Sequence, residues 1–184
     1  MLLPIYVYGS KILREIAKPV DTSIEGLQQF LQDMYETMKK ADGVGLAAPQ
    51  VGKSWRIVVV DGSDMMDDFP ELKDFKRFLI NPEVLEESSD TVEYSEGCLS
   101  VPDIHCDVIR PASITVRYTD ENLKEVTETF TGFGCRMVQH ELDHLDGHMF
   151  IDHVSPIRKK LIAAKLHNIQ IGKFSPRYKV KGNF

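Results

Sequence analysis

The sequence predicts an α+β fold, with antiparallel β-sheets packed around a central metal-binding helix and a further C-terminal helix. Period-two apolar alternation fills the middle of the chain, and helical periodicity is confined to stretches near its ends. One of those helical stretches contains His140-Glu141-Leu142-Asp143-His144. Histidines four apart on a helix lie on one face, one turn above each other, so both imidazoles can reach a single ion.

The first helix is signalled by a capping box at Thr22-Ser23-Ile24-Glu25, followed by Leu27, Phe30, Leu31, Met34, Tyr35 and Met38 at helical spacing. It is expected to end near Asp42-Gly43. A glycine-punctuated segment, Gly43 to Gly52, leads into Arg56-Ile57-Val58-Val59-Val60, which reads as a buried strand. The polar run from Gly62 to Lys76 reads as a surface loop. Extended stretches follow around Leu79-Ile80-Asn81, Val92-Glu93-Tyr94 and Asp107-Val108-Ile109. Two more, 114–118 and 126–130, alternate cleanly across Asp120-Glu121-Asn122 and predict a hairpin. The histidine-bearing helix is expected from about Gly134 to Asp146, capped by Gly147. Ser155-Pro156 opens the last helix, with Ile157, Leu161, Ile162, Leu166 and Ile169 expected on its apolar side.

A chain of 184 residues with 42% apolar and 27% charged side chains reads as one domain, 1–184, large enough for a core of its own. Within it, 1–154 is the metalloenzyme core and 155–184 the C-terminal helix and basic tail. Three cysteines argue against a disulfide framework and for a reducing compartment. The first residues lack the basic and long apolar regions of a signal peptide, so a cytoplasmic location is expected. Net charge is −6, unevenly spread. From Ser155 onward there are eight basic residues and no acidic one, leaving 14 basic against 28 acidic residues before it. A polyanion could meet that tail; the plainer expectation is a solvated helix and a loose tail.

A catalytic site of this kind needs three protein ligands and an open position. His148 continues the rhythm but sits about 12 Å along the axis from His140. Glu141 is the last glutamate of the chain, which excludes a downstream glutamate ligand. Phe150 occupies the position where an extended protease pattern carries a third histidine. Cys135 lies about 140° round the helix from His140. Cys98 and Cys106 remain, and the residues alone leave both open.

Three separated stretches resemble the peptide deformylase family, metalloenzymes that remove the formyl group from nascent chains. They are Gly43-Val44-Gly45-Leu46-Ala47-Ala48-Pro49-Gln50, Glu96-Gly97-Cys98-Leu99-Ser100, and Gln139-His140-Glu141-Leu142-Asp143-His144-Leu145. Order, spacing and length are also similar, over roughly residues 1 to 155. The helix after Ser155 resembles the extension of a bacterial class in which it is implicated in ribosome binding. The chain departs from the family at Asp103, where glycine is common, and at Arg136 and Met137, where small or apolar side chains are common.

The resemblance implies Cys98, His140 and His144 as metal ligands and Glu141 as general acid/base. It implies Gln50 and the backbone N–H of Leu99 as oxyanion donors, and a Glu96–Arg110 pair. Iron(II) would be the native ion (Fe²⁺), with Zn²⁺, Ni²⁺ or Co²⁺ as replacements. The substrate would be an N-formylmethionyl nascent peptide, bound along Val44, Gly45 and Gly97, with Leu99 beside its methionine; no DNA and no membrane partner is expected. A zinc endopeptidase with an unusual cysteine ligand, and a metal-stabilised module that holds RNA, are the competing readings.

Overall fold

The computed structural model describes residues 1–184. In chain order it contains β1 (Ile5–Tyr6), α1 (Leu27–Lys40), β2 (Gly45–Ala47), β3 (Ile57–Asp61), β4 (Lys76–Glu87), β5 (Thr91–Cys98) and β6 (Val101–Pro111). These are followed by β7 (Ser113–Thr119), β8 (Glu125–Thr131), α2 (Gly132–Leu145), α3 (Pro156–Gln170) and β9 (Val180–Lys181). Short 3-10 turns join several of them.

A five-stranded antiparallel sheet has the order β2-β3-β4-β7-β8, and β5-β6 form a separate long hairpin. The apolar run of β3 is explained by helices on both sides of it. Val58 and Val60 pack with Val138 and Leu142 of α2, whereas Ile57 and Val59 pack with Leu31, Met34 and Met38 of α1. Alternate side chains of a strand point to opposite faces, so a strand covered twice needs apolar residues at every position. The expected α+β architecture is therefore present, with antiparallel pairing throughout both of these sheets. A C-terminal helix follows the expected Ser155 cap, whose Oγ accepts from the Arg158 N–H at 3.3 Å. No helix is long and apolar enough to cross a membrane.

Helix α2 is buried almost all round, with Gly134 to Leu142, His144 and Leu145 all enclosed. A helix enclosed on every side lies in a core rather than on a surface. Gly147 ends it as expected: its φ of 74° is left-handed, and the His148 N–H reaches back to the Asp143 carbonyl at 2.9 Å.

Three expectations need correction. The capping box does not form: α1 begins at Leu27 behind Gly26, whose φ is 82°. Gly26 stands at the N-cap with no side chain to offer, and the Ser23 hydroxyl donates to Asp21 Oδ1 at 2.7 Å in the turn before the helix. On α3 only Ile162, Leu166 and Ile169 face the core, while Ile157 and Leu161 are 75% and 68% exposed. At about 100° per residue these two lie roughly 140° and 100° away from Ile162. The tail is not loose either. β9 pairs in parallel with β1, and Asn183 Nδ2 donates to the Gly9 carbonyl at 2.7 Å.

Candidate metal centre and active-site cleft

The three stretches that the sequence singles out converge on one cleft of about 460 Å³. β2 supplies Gly45 and the following turn Gln50; the end of β5 supplies Gly97, Cys98 and the adjoining Leu99; α2 supplies His140 and Glu141. Ligand atoms of Cys98, His140 and His144 lie within 4.8 Å of one another, with Cys98 Sγ 3.3 Å from His144 Nε2. Cys106 and Cys135 are buried in separate apolar clusters, and of the three cysteines only Cys98 is grouped with the two histidines. Phe150 stacks on the His140 ring at 5.9 Å between centroids and supplies packing at a position where a ligand had been considered.

The donor set fits a divalent ion. One sulfur and two imidazole nitrogens are the atoms that hold borderline-soft metals at three-ligand catalytic sites. His140 Nδ1 is engaged by Glu96 Oε1 at 2.8 Å, which leaves its other nitrogen for the cleft. Burial pushes the Cys98 thiol up, but the charge of His144 and hydrogen bonds from both histidines outweigh it and hold the thiol at about 5. The lowering favours the thiolate, the form that ligates metal.

Glu141 is enclosed, and its Oε2 is a buried oxygen with no hydrogen-bond partner. Burial pushes this carboxyl up to about 7, against the lowering charges of His140 and His144. An unpaired carboxyl at the wall of a polar cleft is poised to exchange a proton with whatever occupies it. Gly45 makes room for it: a Cβ there would stand 2.3 Å from Glu141 Oε1. The neighbouring Gly43 is close-packed in the same way against Leu99.

Gln50 is oriented at both ends. Its Oε1 accepts from the Ala47 N–H at 2.8 Å, so Nε2 is turned toward Ser100 Oγ at 3.1 Å and Cys98 Sγ at 3.5 Å. Half of this amide is thus satisfied by its own loop and the other half faces the cleft. Val44, Gly97 and Leu99 line the same cleft.

A charged cluster supports the site from behind. Glu96 receives Arg110 Nε at 2.8 Å and Nη2 at 3.0 Å, and Arg136 Nη1 at 2.5 Å. Arg110 also reaches Asp143 Oδ2 at 2.7 Å, and His153 Nε2 meets the same oxygen at 2.7 Å. Burial pushes Glu96 up, yet His140 and Arg110 hold it far below the usual carboxylate range. Arg136, which departs from the family pattern, also donates to the Val108 and Val92 carbonyls at 2.7 Å each, while its Nε is buried without a partner. Its position four residues before His140, on the same helix face, is a signal from which this role could have been found. The Asp103 departure preserves the backbone that glycine favours, with φ of 60°. Sequence reasoning missed Ser100, Asp143 and Tyr178. The Tyr178 hydroxyl donates to the Leu99 carbonyl at 2.6 Å, a contact between residues too distant along the chain for any local pattern to announce.

The sequence profile described as polypeptide deformylase matches residues 2–160. A peptide deformylase of Christiangramia forsetii is 41% identical, over 98% of this chain and 96% of its own. One of Fusobacterium nucleatum is 46% identical, over 92% of this chain and 94% of its own. Among solved structures, the peptide deformylase of Thermus thermophilus superposes with a TM-score of 0.83 at 35% identity, covering 94% of this chain and 99% of that one. That of Legionella pneumophila gives 0.81 at 36% identity, covering 94% and 98%.

Proposed function

The chain belongs to the polypeptide deformylase family of hydrolases, which remove the N-formyl group from nascent peptides, and we propose that it does so with a divalent metal ion held by Cys98, His140 and His144. The observation that carries this reading is the convergence of those three donors beside a buried, unpaired Glu141 carboxylate. On this reading 1–184 is one catalytic unit, 1–154 its metalloenzyme core and 155–184 its C-terminal helix and tail.

The ion, when bound, supplies Lewis acidity that polarises the formyl carbonyl and eases deprotonation of a water molecule. Glu141 takes a proton from the attacking water at its carboxylate and delivers it to the departing amine nitrogen. Formate leaves with the new C–O bond as the C–N bond breaks, and the methionine amine is freed. Gln50 Nε2 and the Leu99 N–H are the donors for charge that develops on the formyl oxygen, and the Gln50 amide is pre-set by the Ala47 N–H that its Oε1 accepts. Glu96 fixes the His140 tautomer and ring orientation.

β2 is the edge strand of its sheet beside the cleft, so an extended peptide can add along Val44 and Gly45 opposite Gly97, with its methionine side chain toward Leu99. A thiolate donates more charge than a carboxylate would, which favours Fe²⁺ as the working ion over Zn²⁺, with Ni²⁺ or Co²⁺ as active replacements. The reducing cytoplasm, where nascent chains emerge, suits three free cysteines. The basic α3 and tail, with Ile157 and Leu161 exposed among cations, suit a contact with ribosomal RNA.

Formate release from a formyl-Met tripeptide by anaerobically purified protein, with metal analysis of the same sample, tests this reading. Stoichiometric metal with turnover is expected, and Cys98→Ala is expected to lose both. Casein cleavage without deformylation would favour an endopeptidase. Equal or higher turnover with Zn²⁺ than with Fe²⁺ would sink the assignment of iron.

A further inference from the structure

The C-terminal tail contributes a wall to the cleft through Ser175, Pro176, Arg177 and Tyr178, all beyond the residues that the family profile matches. Its course is fixed by the β1–β9 pairing, in which the Ile5 N–H donates to the Lys179 carbonyl at 2.9 Å and the Val7 N–H to the Lys181 carbonyl at 3.0 Å. Pairing that begins at Lys179 delivers the preceding residue, Tyr178, to the stretch after β5.

There the Tyr178 hydroxyl donates to the Leu99 carbonyl at 2.6 Å. That carbonyl and the Ser100 N–H belong to one peptide unit, and the Ser100 N–H points at Cys98 Sγ from 3.4 Å. The unit is clamped at its far side as well: Ser100 Oγ donates to the Tyr6 carbonyl at 2.6 Å, and the Tyr8 N–H donates to the Ser100 carbonyl at 2.8 Å. An amide whose oxygen accepts a strong hydrogen bond is polarised, and its N–H becomes a better donor. Burial, with the charges of Cys98 and Asp103, pushes the Tyr178 phenol up, so it stays protonated as a donor.

We propose that Tyr178 is a positioning residue for the metal thiolate: through the Leu99–Ser100 peptide its hydroxyl orients and strengthens the hydrogen bond that Cys98 Sγ receives, so the C-terminal tail tunes the reactive centre. This rests on the reading of Cys98 as a metal ligand. Less charge on the sulfur leaves a more Lewis-acidic ion.

The test uses the full-length chain loaded with Co²⁺, whose thiolate charge-transfer band reports electron density at sulfur. Parent protein comes first: absence of the band, or its survival in Cys98→Ala, would overturn the ligand reading and this inference with it. Given the band, Tyr178→Phe is expected to shift it to longer wavelength and to lower kcat about three- to tenfold, with KM within about twofold, as loss of one hydrogen bond allows. A 3-fluorotyrosine at position 178, a more acidic phenol and stronger donor, is expected to shift the band the other way. Its native side chain size keeps the test valid should Tyr178→Phe fold poorly. Tyr118→Phe, which deletes a hydroxyl bonded to Glu128 away from the cleft, controls for loss of any part-buried phenol. An unmoved band in both position-178 variants, or a rise in KM alone, would overturn the proposal and leave Tyr178 as a passive wall.

Discussion

Glu96 Oε1 lies 2.8 Å from His140 Nδ1, and the same carboxylate is the meeting point of two buried guanidinium groups, those of Arg110 and Arg136. One side chain therefore orients His140 and pairs with buried positive charges from both α2 and the β5–β6 hairpin. Charges taken out of water are tolerated when paired and hydrogen-bonded, and costly when a partner is removed.

Glu96→Ala is accordingly expected to destabilise the fold by about 3–5 kcal/mol, because two arginines lose their common partner. Metal affinity is expected to fall about 10–100-fold as His140 loses its orienting acceptor. Thermal unfolding and competition against a chelator measure the two effects. Parent-like values in both would show the cluster to be inert.

Replacing Glu141 separates catalysis from stability. Its Oε2 is buried without a partner, so Glu141→Gln removes a charge that the fold does not satisfy. The melting temperature is expected to stay level or rise, while kcat falls about 10²–10⁴-fold with metal retained. Retained turnover would instead favour a site without general acid/base chemistry.

At Gly45 the requirement is space for Glu141 and not an unusual backbone. A Cβ would come within 2.3 Å of Oε1 and 2.8 Å of the carboxyl carbon, atoms at the mobile end of a side chain. Gly45→Ala is thus expected to fold, to displace the carboxylate by about 1 Å, and to lose about 10²-fold in kcat. A crystal structure of the variant with Glu141 unmoved and full activity would contradict this.

The elements were legible where local chemistry had no competitor. The β7–β8 hairpin alternates cleanly, Gly147 closes α2, and Ser155-Pro156 opens α3. The capping box at Thr22 failed because α1 starts only at Leu27, behind a glycine with positive φ at position 26. Within the site, the spacing of His140 and His144 showed a shared helix face, but it could not choose between Cys98 and Cys106. Only the tertiary fold, which groups Cys98 and not Cys106 with the two histidines, separates them. The Glu96–Arg110 pair that the resemblance implied is present at 2.8 Å, whereas Tyr178 acts through a contact made by tertiary folding, which no periodicity encodes.

Helix α3 gives a sharp contrast between neighbours. Ile162 is 5% exposed and Leu161 68% exposed. Ile162→Ala is expected to cost about 2–4 kcal/mol through lost burial and a residual cavity. Leu161→Gln is expected to change stability by less than about 0.5 kcal/mol. Denaturant unfolding of both variants checks the orientation, and equal losses would mean that α3 is rotated from the position described.

On the sheet, Glu128 gives the fold a pH dependence that can be isolated. Burial raises this carboxyl, but hydrogen bonds from Arg77 and Tyr118 and the charge of Arg77 outweigh it and hold it below the usual range. Its contacts are Arg77 Nη2 at 2.8 Å and the Tyr118 hydroxyl at 2.8 Å. A carboxyl whose folded-state pKa is depressed binds protons more weakly in the folded chain than in the unfolded one. Its stabilisation is therefore fully present above the unfolded value, about 4.3, and is lost as pH falls through the folded one. Glu128→Gln is expected to lower the melting temperature at pH 7 and to lose less of it on acidification. The parent and variant curves should approach each other as pH falls from 5 toward 3, since every other carboxylate titrates alike in both. A gap that stayed constant across that range would show that Glu128 acts by shape and neutral hydrogen bonding, with its charge contributing nothing.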